Sequence, residues 1–208
     1  MQTIDTMPDI PEDLSRCVEF HGHICPGLVY GYMVAKEAMK LMHLGRATDE
    51  EIVAICENDS CAVDALQVLL GTSTGKGNLM IRDYGKNAYT VLSRSGRKSY
   101  RFVRMARYEY QGKEKSAFER LDAAIADGMA SEGDRRHMKL LKVKDLLGRS
   151  FNEIFATTAI PFDEPHYTPL ERSELCVLCG EMTMASKMVV VKDRRVCIPC
   201  SQKRVFNF

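Results

Sequence analysis

Apolar and polar positions alternate along the chain in a few recurring patterns. Over residues 11–20, Leu14, Cys17 and Val18 recur at spacings of three and four, which predicts a short helix with Cys17 in the core. The mostly apolar run Leu28–Met42 predicts a long helix. Pro26 suits its first turn, where the N–H that proline lacks has no partner in any case, and Gly45 is placed to cap its far end. Ile52–Cys56 is compact and β-branched and reads as a buried strand, with Cys56 as a packed hydrophobe. Polar Glu57–Ser60 leads into Cys61–Leu70, a helix closed by Gly71. Leu79–Tyr84, Ala88–Ser93 and Ser99–Met105 read as strands, the last two forming a hairpin turned at Ser95-Gly96.

Phe118, Leu121, Ile125 and Met129 give the stretch 116–129 a helical stripe. Residues 134–155 carry a wider one, made of Met138, Leu141, Val143, Leu146, Leu147, Phe151 and Phe155, broad enough to serve a homodimer as well as a core. Thr157–Phe162 reads as a last strand, and Pro161, Pro165 and Pro169 mark a linker. The elements together predict an α+β fold, a largely antiparallel sheet with packed helices, over residues 1–165. Residues 166–208 are expected to form a linker and a small zinc-finger module.

Composition narrows the class without fixing a function. The 208 residues are 45% hydrophobic and 27% charged, with a formal net charge of +1, so nothing demands nucleic acid or an anionic membrane as partner. Arginines at 101, 104 and 107 fit a solvated face better than an RNA surface. Residues 1–13 lack the basic and apolar blocks of a secretory leader, and no apolar run is long enough to span a bilayer. The expected location is cytoplasmic, where the eight cysteines serve as ligands or reactive groups rather than disulfides.

Two stretches carry candidate chemistry. In His21-Gly22-His23-Ile24-Cys25 the metal-binding side chains alternate, and in an extended segment they point the same way. Cys25 precedes a helix start, where backbone N–H groups and the helix dipole favour a thiolate. Cys61 stands likewise at a helix start, with Asp64 one turn on along the same face. Histidines and cysteines before helices can also simply cap and pack, but this number at this spacing points to a metal site of unspecified identity formed by His21, His23, Cys25 and Cys61. Cys25, Cys61, Asp64 and Lys76 are the candidate catalytic groups. Gly71–Asn78 imitates a phosphate loop but fails its spacing, and Lys76 is followed by Gly77 where that motif needs Ser or Thr.

The second stretch pairs Cys176-x-x-Cys179 with Cys197-x-x-Cys200, seventeen residues apart. This is a structural zinc pattern, closed by four thiolates. Met188–Val191 and Arg194–Val196 predict a hairpin between the pairs, and the second pair leads into a short helix or tail at 201–204. Lys187, Lys192, Arg194, Arg195, Lys203 and Arg204 form a modest basic cluster that permits nucleic acid as well as protein partners.

His21–Gly27, Glu57–Gln67, Gly75–Leu79 and Asp83–Lys86, in that order, resemble the E-subunit family of formylmethanofuran dehydrogenase, and the paired C-x-x-C motifs resemble the zinc-finger extension its members often carry. The resemblance covers most of the chain. It implies a dimerising α+β core with an appended zinc module, a cleft holding the His-x-His-x-Cys and second cysteine motifs, and action with, or accessory to, a molybdenum or tungsten oxidoreductase. One departure stands out: the family commonly has a cysteine before Gly-Lys-Gly-Asn, and Gly71–Thr74 has none. The competing expectation is a non-enzymatic zinc-finger protein that binds nucleic acid or a protein partner.

Overall fold

The computed structural model describes residues 10–167 and 171–202. The chain divides into two compact units, at Tyr167 and Thr168.

The first unit runs α1 (Glu12–His21), α2 (Pro26–Met42), β1 (Ile52–Cys56), α3 (Ala62–Leu70), β2 (Leu79–Ile81), β3 (Ala88–Ser93), β4 (Lys98–Arg104), α4 (Lys115–Ala126), α5 (Glu132–Leu147) and β5 (Phe155–Ala159). The sheet order is β2-β1-β3-β4-β5. The β1–β2 pair is parallel and the other pairs are antiparallel. Its interior is mainly apolar: Leu14, Leu28, Val34, Leu66, Phe102, Val143, Leu146 and Phe155 are all buried. Each such side chain contributes about 1.5–3 kcal/mol over an exposed position.

Helices α2 and α3 pack with their backbones in contact. A Cβ added at Gly31 would lie 2.0 Å from the Ala62 carbonyl oxygen, so only glycine permits this approach. The contact sits just after the start of α3, and it brings the N-termini of both helices together. Cys25 and Cys61 are the N-cap residues of those two helices.

Several sequence expectations need correction. His43, in a left-handed conformation, caps α2 in place of Gly45, and its N–H bonds to Met39 O. The expected helix over 134–155 is two elements: α5 stops before Gly148, a capping box between Ser150 and Glu153 starts a single 3₁₀ turn, and Phe155 opens β5. The wide stripe is consumed inside the unit. Met138 and Leu141 pack with Leu121, while Val143, Leu146 and Phe155 join the main core. These stripe residues are buried within the unit itself.

The second unit has two hairpins, β6 (Ser173–Leu175) with β7 (Met182–Met184) and β8 (Met188–Val191) with β9 (Arg194–Cys197), followed by α6 (Ile198–Gln202). Lys192 and Asp193 turn the second hairpin with φ of 48° and 60°, the two-residue pattern that matches strand twist. The β6–β7 hairpin was not legible as strand pattern. Lys203 and Arg204, part of the expected helix or tail, lie outside the described residues. Among the described residues no helix is long and apolar enough to cross a membrane.

Candidate metal centres

The core site starts at the end of α1. His21 is its last residue, and Gly22, at φ 89°, turns the chain out of the helix with its N–H on Val18 O. Cys25 follows in extended conformation as N-cap of α2, its sulfur accepting the Leu28 N–H at 3.4 Å. Cys61 approaches from α3. His21, Cys25 and Cys61 form one group whose ligand atoms all lie within 4.8 Å of one another. Gly27 makes room for the sulfurs: a Cβ there would sit 3.1 Å from Cys61 Cβ and 3.9 Å from Cys25 Sγ.

Asp64 fixes the ring of His21. Its Oδ2 lies 2.6 Å from Nδ1. A carboxylate accepts, so Nδ1 donates and the lone pair is left on Nε2, which is 3.8 Å from Cys25 Sγ. Ligand bonds of about 2.0 Å to nitrogen and about 2.3 Å to sulfur place tetrahedral neighbours roughly 3.6 Å apart. The Cys25–His21 edge already has that length. The donor set fits a soft or borderline ion with two sulfurs and one imidazole, one ligand short of a closed tetrahedron.

His23 stands outside this group, against the expectation of a common face. The segment is a helix end followed by a turn rather than an extended strand, so alternation does not align its side chains. The His23 ring instead lies against His21, centroids 4.5 Å apart. Burial lowers its pKa, and His21 and Lys139 add to the shift. Cys25 departs from expectation as well. Burial pushes its thiol up, and Cys61 adds to that, against the pull of the Leu28 and Gly27 N–H groups. Without a metal the helix start does not make it a ready thiolate. Cys17 and Cys56 are fully buried, and burial raises their thiols to about 11 and about 12.

Lys76 is also elsewhere. Its ammonium donates to the carbonyls of Thr48, Asp49 and Gly71. Gly71 caps the far end of α3, about 15 Å from Cys61 at 1.5 Å per residue. The stretch lacking the family's further cysteine lies at that same far end, where buried Thr72 donates to Leu66 O.

Sequence reasoning passed over Asn58, which shapes the loop delivering Cys61. Its side-chain oxygen accepts the Ser60 N–H at 3.1 Å and the Ser60 hydroxyl at 2.6 Å, and its amide donates to Lys86 O at 2.6 Å. The Asn-x-Ser order before a helix is an Asx-turn signal that could have singled it out. Beside it, Arg101 forks onto Glu57 at 2.8 and 3.0 Å, so this arginine is not part of a solvated row.

At the second centre, Cys176, Cys179, Cys197 and Cys200 bring their sulfurs within 4.8 Å of one another. Cys179 and Cys197 are 3.9 Å apart, again a tetrahedral edge. Gly180, at φ 74°, lets its N–H return to Cys176 O and close the knuckle. The N–H groups of Cys179 and then Cys197 lower the Cys176 thiol to about 6, while the Cys197 sulfur is the main cause raising Cys200 to about 12. All eight cysteines are free. This cluster can hold a metal ion with four ligands and no open position.

The chain is similar to known proteins in sequence and in fold. Over 201 residues, 90% of the chain, it is 29% identical to a probable S-adenosyl-L-methionine-binding protein of Archaeoglobus fulgidus, and it spans 52% of that relative's length. The crystal structure of a protein from Syntrophus aciditrophicus that is like FmdE, the E subunit of a tungsten formylmethanofuran dehydrogenase, superposes with a TM-score of 0.59 at 22% identity. The match covers 94% of this chain and 93% of that one, which establishes a shared fold. The family model described as "FmdE, Molybdenum formylmethanofuran dehydrogenase operon" matches residues 20–156, taking in His21, Cys25, Cys61 and Asp64. With more than half its length inside that model, the chain belongs to the FmdE family.

Proposed function

We propose that the core unit binds one metal ion through His21 Nε2 and the sulfurs of Cys25 and Cys61, and that the four C-terminal cysteines hold a structural zinc. The observation that carries the core assignment is the Asp64–His21 bond of 2.6 Å, which leaves Nε2 facing Cys25. A carboxylate on the far nitrogen of an imidazole orients it as a ligand and raises its basicity. With three protein ligands the ion keeps a position for an exogenous ligand and can polarise it. Asp64 is then the orienting group, and Gly27 the residue that lets both sulfurs converge.

The chain acts, on this reading, with a molybdenum or tungsten oxidoreductase of the formylmethanofuran dehydrogenase kind, as its family and its structural relative suggest. The C-terminal unit favours a protein partner over nucleic acid. It exposes Leu175, Val177, Leu178, Met182 and Met184, while Arg195 is paired with Glu174 at 2.7 Å. The test is replacement of the core ion by cobalt(II) in the full chain. Sulfur-to-cobalt charge-transfer bands that weaken stepwise in Cys25→Ser and Cys61→Ser support the assignment. Identical spectra in both variants and the parent chain contradict it.

A further inference from the structure

The core cluster holds two thiols that the metal reading uses only as ligands. Their geometry has a second consequence. Cys25 and Cys61 sit at two helix starts that the Gly31–Ala62 contact holds together, with their sulfurs inside one group no wider than 4.8 Å. Gly27 contributes no side chain there, where a Cβ would lie 3.1 Å from Cys61 Cβ, 3.6 Å from Cys61 Sγ and 3.9 Å from Cys25 Sγ. Their exposure is unequal: Cys25 is buried at 6%, whereas Cys61 is half-buried. An accessible thiol beside a buried one is the arrangement of an attacking and a resolving cysteine. The chain's other buried core cysteines cannot take this role, since Cys17 and Cys56 are fully enclosed and outside the cluster.

We propose that Cys25 and Cys61 form a two-electron dithiol–disulfide couple, so that the core site alternates between a metal-bound dithiolate and a metal-free disulfide. The exclusivity of the two states rests on the metal reading above; the couple itself rests on the cysteine geometry alone. The oxidant is a small-molecule disulfide. Cys61 sulfur bonds to one sulfur of it, the S–S bond of the oxidant breaks, and the first half leaves as thiol with the Cys61 proton. Cys25 sulfur then bonds to Cys61 Sγ, the mixed disulfide breaks, and the second half leaves as thiol with the Cys25 proton. Two electrons pass from the cysteine sulfurs to the oxidant, which becomes two thiols. Once joined, the sulfurs carry no thiolate charge, and the ion loses two of its three ligands.

The test treats the full chain with oxidised glutathione, once after chelation and once after loading with excess zinc, and maps the cysteines by peptide mass under non-reducing conditions. The expected result after chelation is a cross-linked peptide pair containing Cys25 and Cys61, reversed by a dithiol reductant, with Cys17 and Cys56 remaining alkylatable once the chain is denatured. Cys25→Ser should stop at glutathione on Cys61. Glutathione held on Cys61 in the parent chain without closure, or no reaction at Cys61 at all, would overturn the couple. Zinc should suppress the cross-link about ten-fold or more by occupying the sulfurs. A cross-link that forms equally with and without zinc would support the couple while overturning the metal reading.

Discussion

Set side by side, the two cysteine clusters differ in how much apolar core lies in the unit that carries the ligands a metal ion would use. Among the described residues around the C-terminal cluster, the buried ones are Cys176, Val196 and Cys197, so ligands make up most of that core. The core cluster belongs to a unit whose buried interior includes Leu14, Leu28, Leu66, Leu70, Phe102 and other large side chains. A small unit with so little apolar burial depends on its ion for folding free energy, whereas a site inside a large core is built beforehand and only adjusts to the ion. The donor sets follow the same division. Four sulfurs would close one site, and two sulfurs with one oriented imidazole would leave the other open.

The largest effect that would break this comparison is metal removal. Structural zinc sites supply on the order of 10 kcal/mol of apparent folding free energy, so chelation, or Cys179→Ser, should make residues 171–202 protease-sensitive and collapse their amide dispersion. Amides of β1, β3 and β4 should stay protected in the same sample. Loss of protection in both units together would contradict the division.

Next in size is Gly31→Ala, which places a Cβ on the Ala62 carbonyl. Overpacking of this kind costs about 1–3 kcal/mol, measured by urea denaturation of the metal-free chain, and it should also weaken core metal binding by pushing the two helix starts apart. A stable variant with unchanged core affinity would show that the helix crossing does not set the sulfur positions.

Asp64→Asn keeps the shape and removes the carboxylate. Core affinity should fall about 10–100-fold with the C-terminal site unaffected, read by competition with a chromogenic chelator.

A smaller effect concerns pH. Burial raises the folded Cys56 thiol to about 12 from an ordinary 9.0. Above pH 9 the unfolded chain loses this proton first and binds fewer protons than the folded one, so stability falls as pH rises towards 12. The loss should be about 1.4 kcal/mol at pH 10 and should disappear from the pH slope in Cys56→Ala.

Much of the frame was legible because local chemistry and tertiary demand agree there. Pro26 at a first helical turn, Gly71 at a helix end and the hairpin at Lys192-Asp193 all obey rules that need no knowledge of the rest of the chain. The C-x-x-C pairs were readable for the same reason. What escaped depends on long-range placement or on one backbone angle. The alternation of His21, His23 and Cys25 fits a strand equally well, and only the left-handed turn at Gly22 selects His21 and Cys25 and turns His23 aside. Lys76 is four residues past Thr72 in sequence, yet its position relative to Cys61 follows from the length of α3. The broad 134–155 stripe divides within α5 itself, where Met138 and Leu141 pack with Leu121 while Val143 and Leu146 join the main core, and periodicity alone does not reveal which neighbour takes which side chain.

The most direct measurement compares metal content in the parent chain, His21→Ala and His23→Ala, each loaded with zinc and passed through a desalting step. Three ligands without His23 mean that His23→Ala retains both ions, one at each cluster, with core affinity changed less than about three-fold, while His21→Ala retains only the C-terminal one. Equal metal content in His21→Ala and the parent chain, or loss of the core ion from His23→Ala alone, would contradict the site as drawn.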